Sequence, residues 1–101
     1  MRLRNLKPYK LNKAIIELDD ERNQRIVGYE EIATIDADIQ PAGGNLKIQQ
    51  YGKEISKYHT VFCYPNELIL EGLYIEHEGK YHLIKPIQKW RHWVFDIEVT
   101  S

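Results

Sequence analysis

The chain has little of several residue types, and each shortage excludes a class of protein. It contains one cysteine, Cys63, so no disulfide can form within it. Its only serines are Ser56 and Ser101, and neither lies in a motif that would activate a hydroxyl nucleophile. No apolar run approaches the roughly 20 residues that a membrane-spanning helix needs. Lysines and a proline also interrupt the N-terminal segment where a secretory signal would be apolar. We therefore expect a protein that is made in the cytoplasm and has no membrane partner.

The charge of the chain is nearly balanced, with 14 Lys and Arg residues against 15 Asp and Glu residues. A dedicated nucleic-acid-binding protein needs a concentrated basic face, which this balance does not favour. The one asymmetry is at the N-terminus, where five basic residues precede the first acidic one: Arg2, Arg4, Lys7, Lys10 and Lys13. We assign residues 1–12 to a basic N-terminal arm. Two interpretations of it remain open, a solvated tail or a tail that docks on an acidic partner or on DNA.

The clearest strand pattern lies between Ala33 and Gln40. Ala33, Ile35, Ala37 and Ile39 alternate there with polar residues, which is typical of a half-buried antiparallel strand. Pro41 ends the strand because proline cannot donate to the ladder. Upstream, the apolar run within 13–18 predicts a short strand, and the polar segment 19–25 predicts an exposed loop. Gly28 is predicted to mark the point where the chain returns from that loop.

The C-terminal half predicts several more strands. Tyr58–Tyr64 is rich in aromatic and β-branched residues, and His92–Val99 alternates in the same way as the earlier strand. Leu73–Glu78 and Lys80–Ile87 predict a hairpin around the turn at Glu78-Gly79. We therefore predict a mainly β domain over residues 13–101, a small antiparallel β-barrel of about five to seven strands.

One segment interrupts this strand order, at about residues 42–57. Gly43-Gly44 opens it, and Ile48, Tyr51 and Ile55 follow at helical spacing. A glycine in the middle costs a helix roughly 1 kcal/mol relative to alanine. We predict a short helix or an ordered loop inserted into the barrel.

The residues that carry chemistry do not form a recognisable catalytic or metal-binding motif. The four histidines lack the spacing of a zinc site. In the predicted hairpin, His77 lies opposite or diagonal to Lys80, and His82 lies opposite about Ile75, so these two imidazoles are not expected to face one atom. Cys63 lies in an apolar strand and is expected to be a buried structural thiol. We expect no cofactor, no metal and no enzymatic activity.

An aromatic and basic patch surrounds Trp90, beside Lys89 and Arg91. Trp93 falls in the buried register of the last strand, which leaves Trp90 as the exposed indole. We take Arg22, Arg25 and Trp90 as candidate interface residues. An alternative function follows from this patch: a module resembling the oligonucleotide/oligosaccharide-binding barrels, which would bind single-stranded nucleic acid by base stacking.

Three stretches together resemble a known family. They are Ala33–Pro41, then Gln50–Glu54, then Leu70–Ile84, with the sequences ATIDADIQP, QYGKE and LEGLYIEHEGKYHLI. Their order is similar to that of the head–tail joining proteins of tailed phages, also described as head-completion, stopper or minor capsid proteins. The resemblance covers roughly the C-terminal two-thirds of the chain and consists of strand and turn residues.

The resemblance implies a structural connector subunit of the virion, at the head–tail interface. Such subunits form a ring, twelve-fold in the family, below the portal and adaptor proteins. The ring continues the channel for packaged DNA, helps to retain that DNA, and offers a docking face to the tail-completion protein. In the family, the excursion between the second and third strands can close the channel. Carried over to this chain, that excursion gives a candidate segment for gating or inter-subunit contact: Gly43, Gly44, Ile48, Tyr51, Gly52, Lys53 and Ile55.

Overall fold

Antiparallel strands make up most of the structure, a computed structural model that describes residue 3, residues 5–41 and residues 57–100. The strands are β1 (Lys7–Leu18), β2 (Gln24–Pro41), β3 (Tyr58–Cys63), β4 (Tyr74–His77), β5 (Lys80–Ile84), β6 (Gln88–Lys89) and β7 (Trp93–Val99). Within these described ranges, no helix is long and apolar enough to cross a membrane. The inserted segment predicted at about 42–57 lies outside the described residues, except for Lys57 at its end.

The strands form a single sheet that closes on itself. Its order is β3-β2-β1-β4-β5-β7-β6, and an additional pairing of β3 with β7 completes the ring. The ring is uneven: β3 and β7 pair over six residues, whereas β1 and β4 pair only at Leu11–Ile75 and Asn12–Tyr74. The prediction of a mainly β fold with a small antiparallel barrel of up to seven strands is confirmed.

The period-two pattern of the sequence builds the core of this barrel. Ile35 and Ala37 of β2 are buried, while Thr34 before them and Asp36 between them are exposed. The other strands contribute inward-facing side chains to the same core, namely Leu11, Val61, Cys63, Ile75, Ile84, Phe95 and Ile97. Since burial of an aliphatic side chain stabilises the fold by roughly 1.5–3 kcal/mol, this set supplies the main driving force for closure.

The hairpin of β4 and β5 turns at Glu78-Gly79, as the sequence predicts. Both residues have positive φ, 53° and 76°, which is the backbone of a type I′ turn. The second strand is shorter than predicted, because it ends at Ile84 and not at Ile87. Pro86 lies in the segment that was predicted as strand but is not part of β5, and proline has no N–H with which to continue the ladder.

The N-terminal half differs from the sequence prediction in two places. Strand β1 begins at Lys7, so half of the predicted basic arm at 1–12 belongs to the sheet. Tyr9 and Leu11 explain the difference, because they alternate at strand spacing among the lysines and pair with Ile35 and Ala33. Gly28 lies within β2, opposite Ile15, and not at the return of the loop.

Candidate interaction surfaces

Strands β1 and β2 continue beyond the barrel as a two-stranded ribbon, which we call the hairpin arm (residues 13–30). Past Asn12, β1 pairs only with β2, and β2 pairs with β3 only from Asp38 onward. Both outer edges of the arm therefore present backbone N–H and C=O groups that no described strand pairs. The described part of the molecule is correspondingly elongated, with extents of 51 × 32 × 24 Å.

The hairpin arm exposes apolar side chains on both of its faces. Five of them are 43–64% exposed: Ile15, Ile16, Leu18, Ile26 and Val27. Cross-strand partners share a face, so Ile16 and Ile26 lie together on one face while Ile15 covers Gly28 on the other. A two-stranded ribbon is marginally stable alone, and a cluster of exposed apolar groups marks an interaction site. The arm is thus a candidate surface for assembly.

Aromatic packing fixes the base of the hairpin arm on the barrel. The Tyr29 ring stacks on Tyr81, with 3.9 Å between ring centroids and 11° between planes, and meets Tyr74 edge-on at 5.0 Å. Lys13 and Glu30 also form an ion pair across the arm at 3.2 Å. That pair is exposed and contributes little, so the direction of the arm depends on the three tyrosines.

The turn at the end of the arm is organised by Asp19. One Asp19 carboxylate oxygen accepts hydrogen bonds from the backbone N–H of Glu21 and Asn23, at 2.9 and 2.8 Å. Arg22 lies in this turn with φ of 63°, and its backbone N–H donates to the Asp19 carbonyl. With Asp20, the turn presents three adjacent acidic positions, 19–21, at the outer end of the arm.

A second surface lies between the loops that flank β4 and β5. We call it the loop groove; it has a volume of about 510 Å³ and is lined by Ile69, Leu70, Glu71, Pro86, Ile87 and Lys89. Trp90 follows Lys89 directly and is 69% exposed, whereas Trp93 is buried as the alternation predicts. The Lys89 amino group lies 4.8 Å above the centre of the Trp93 ring, which holds this side chain at the groove.

Three histidines meet at one end of the barrel, where the sequence did not predict a cluster. The rings of His59, His77 and His82 lie 5.3–5.6 Å apart between centroids. They line a small pocket of about 130 Å³ together with Glu78 and Lys80. The predicted register is correct, with His77 opposite Lys80 and His82 opposite Ile75. Diagonal positions of a hairpin share a face, however, and closure of β3 on β7 then brings His59 beside them.

Burial disfavours the charged form of two of these histidines. Desolvation is the largest cause that lowers the pKa of His77 and of His82, and neighbouring imidazoles lower both further. Glu78 opposes the shift at both residues, and the hydrogen bond to the His77 carbonyl opposes it at His82, but the pKa of each stays below its ordinary value. His82 Nε2 lies 3.3 Å from the His77 carbonyl oxygen, while the Nδ1 atoms of His59 and His82 are buried without a hydrogen-bond partner. Protonation of the cluster would place charge in a poorly solvated site.

The fourth histidine and the cysteine do not line the pocket of this cluster. Across residues 5–41 and 57–100, no group of three or more His, Cys, Asp and Glu side chains is arranged to hold a metal ion. His92 lies apart from the cluster and packs its ring against Tyr64 at 5.3 Å. Cys63 is 1% exposed, and burial raises the pKa of its thiol to about 11, so a thiolate is rare at neutral pH.

The candidate residues from the sequence fall into two groups. The candidate gating segment (Gly43, Gly44, Ile48, Tyr51, Gly52, Lys53 and Ile55) lies outside the described residues. Arg22 and Arg25 are exposed on the hairpin arm, and Trp90 is exposed beside the loop groove. The apolar arm itself was missed, because the run at 14–18 looked like an ordinary strand. Its unusual feature is exposure, because no other strand of the described ranges pairs with or packs over this part of the hairpin.

The chain matches no protein-family model, and it has no significant sequence match among curated proteins. The assignment of function therefore depends on the geometry of the two surfaces and on the sequence resemblance.

Proposed function

We propose that this protein is a structural connector subunit of a tailed phage or prophage, which assembles as a ring below the portal and adaptor and receives the tail. The observation that carries the proposal is the hairpin arm, with apolar side chains exposed on both faces and both backbone edges unpaired. Exposed apolar side chains on such an arm do not stabilise an isolated barrel. They contribute to stability when a neighbouring subunit covers them.

The energetics of the arm support assembly. Burial of the exposed half of one Ile or Leu side chain stabilises an interface by about 1 kcal/mol. The five exposed apolar side chains of the arm would therefore contribute about 5 kcal/mol to each contact, before the costs of association. A ring gives every subunit two such contacts, which strengthens assembly on a portal template. The twelve-fold symmetry and the tail-completion partner come from the family resemblance.

Charge supports a role around DNA without tight binding to it. The chain carries a net charge of −1, so a ring of subunits is not strongly basic overall, which suits a channel for packaged DNA. DNA could then pass through the channel without adhering to it. The segment at 42–57 remains the predicted gate or inter-subunit contact in this scheme.

The proposal is tested by the ability of the protein to join heads to tails. Deletion of its reading frame should yield separate heads and tails, and addition of the purified protein should restore joined particles that infect. The double variant Ile16→Asn/Ile26→Asn should join poorly, because it removes the apolar pair from one face of the arm. Thr34→Asn, an exposed change in the same strand β2 but outside the arm, is the matched control and should join normally. Normal virions without the protein would contradict the proposal.

A second candidate function is single-stranded nucleic-acid binding, and one observation favours it. Trp90 is exposed next to Lys89 and Arg91, so a base could stack on the indole while the cations meet phosphates. This function predicts oligonucleotide binding that weakens with salt and is lost in Trp90→Ala. The connector proposal predicts no measurable binding in the same titration.

A further inference from the structure

Building on the proposed function, we infer that the hairpin arm of one copy docks in the loop groove of the next copy. The ring would then be built from head-to-tail contacts between two different surfaces of the same chain. The partner of the arm is therefore a second copy of this protein.

The two surfaces are chemically complementary in their apolar parts. The arm offers aliphatic side chains, with Leu18 the most exposed at 64%. The loop groove offers a concave, largely apolar lining, and Leu68 and Leu70 beside it are more than half exposed. Among the residues that the structure describes, none of the arm lines the groove of its own chain, so an arm would have to come from another copy.

The charges at the two surfaces are complementary in part. The arm ends in the acidic turn at 19–21, with Arg22 and Arg25 behind it, whereas the segment 85–91 along one side of the groove carries Lys85, Lys89 and Arg91 and no acidic residue. Glu71 lines the groove as well, and Lys85 is paired with Glu98 at 4.0 Å, so Lys89 and Arg91 are the cations that an acidic turn would meet. An arm that enters the groove places its acidic turn beside this basic segment.

The arm and the groove are different surfaces, so their contact can extend into a ring. Two copies that place their arms in each other's grooves would close as a two-fold dimer, whereas a contact between one arm and one groove leaves one free arm and one free groove on every pair. Each added copy repeats the contact until the rotation closes. A portal that presents its subunits in a circle would fix how many copies complete it.

The test is site-directed crosslinking between the two surfaces. Leu18→Cys on the arm and Leu70→Cys in the groove replace exposed side chains, and both variants should melt close to the parent temperature. The parent thiol, Cys63, is buried and should stay unreactive in the folded protein. A short bismaleimide reagent is added to the concentrated purified protein, and separately to DNA-filled, tail-less heads that have been incubated with it.

The expected pattern separates a head-to-tail chain from the symmetric alternatives, because dimers alone from the double variant would show a closed exchange of arms and would overturn the ring. The double variant should give a ladder of dimers, trimers and larger species. An equal mixture of the two single variants should give dimers alone, and each single variant by itself should remain uncrosslinked. Dimers from Leu18→Cys alone would show that arms meet arms and would overturn the inference. An absence of crosslinks in both settings would overturn it as well.

The same experiment separates failure of the contact from failure of the connector role. Heads that acquire the protein at the vertex without arm-to-groove crosslinks would refute the contact and leave the connector role standing. A ladder in solution with unoccupied heads would establish the contact and contradict the connector role.

Discussion

The hairpin arm should lose its fixed direction when Tyr29 is replaced by alanine. Tyr29 joins the arm to the barrel through two ring contacts, a stack on Tyr81 and an edge-on contact with Tyr74. Each aromatic pair contributes about 1 kcal/mol beyond the area it buries. Removal of part of a half-buried ring adds about 1 kcal/mol more. We therefore expect Tyr29→Ala to lower the free energy of unfolding by about 3 kcal/mol.

Urea denaturation measures that change, and hydrogen exchange locates it. Amides of the arm should exchange faster in Tyr29→Ala. Amides of β3 and β7 should keep their protection at urea concentrations below the unfolding transition. Tyr29→Phe is the matched control, because it keeps the ring and removes only the hydroxyl. It should stay within about 0.5 kcal/mol of the parent protein, which is typical of a surface change. A Tyr29→Ala protein as stable as the parent would refute the view that these rings anchor the arm.

Three further predictions concern the barrel. Ile75→Ala should lower the free energy of unfolding by about 2–5 kcal/mol, because Ile75 is fully buried where β4 meets β1; a urea midpoint that does not move would contradict this. The free energy of unfolding should fall as the pH drops below about 6.5. Burial lowers the pKa of His77 and His82, so the unfolded chain binds more protons than the folded chain in this range. Urea titrations at several pH values should show a flatter decline for His82→Gln. Cys63 should react with a thiol reagent only after unfolding, so rapid labelling in native buffer would disagree with its burial and its raised pKa.

Local pattern accounts for the parts of the fold that the sequence predicted. Alternation from Ala33 to Gln40 determines which side chains of β2 turn inward, and the positive φ of Gly79 suits the predicted hairpin turn. The start of β1 was placed too late because its lysines hide the alternation of Tyr9 and Leu11. A strand with one solvent-exposed face has a composition similar to that of a solvated tail when its pairing strands are unknown.

Closure of the sheet, in contrast, is a long-range property. Neither the pairing of β3 with β7 nor the meeting of His59 with His82 follows from spacing along the chain. The exposure of Ile16 and Leu18 was equally hidden, because hydropathy reports what a residue prefers and not whether another element covers it. The exposure of Trp90 was predictable, since Trp93 filled the inward position of β7 and left Trp90 outside the strand.

The most direct test of the connector role is an image of the portal vertex. Purified protein would be mixed with DNA-filled, tail-less heads of the phage that encodes it and studied by cryo-electron microscopy without imposed symmetry at the vertex. Our account predicts a ring of added density below the portal and adaptor, into which the barrel fits with its arms spanning adjacent copies. A vertex that stays unchanged beside folded protein would contradict it.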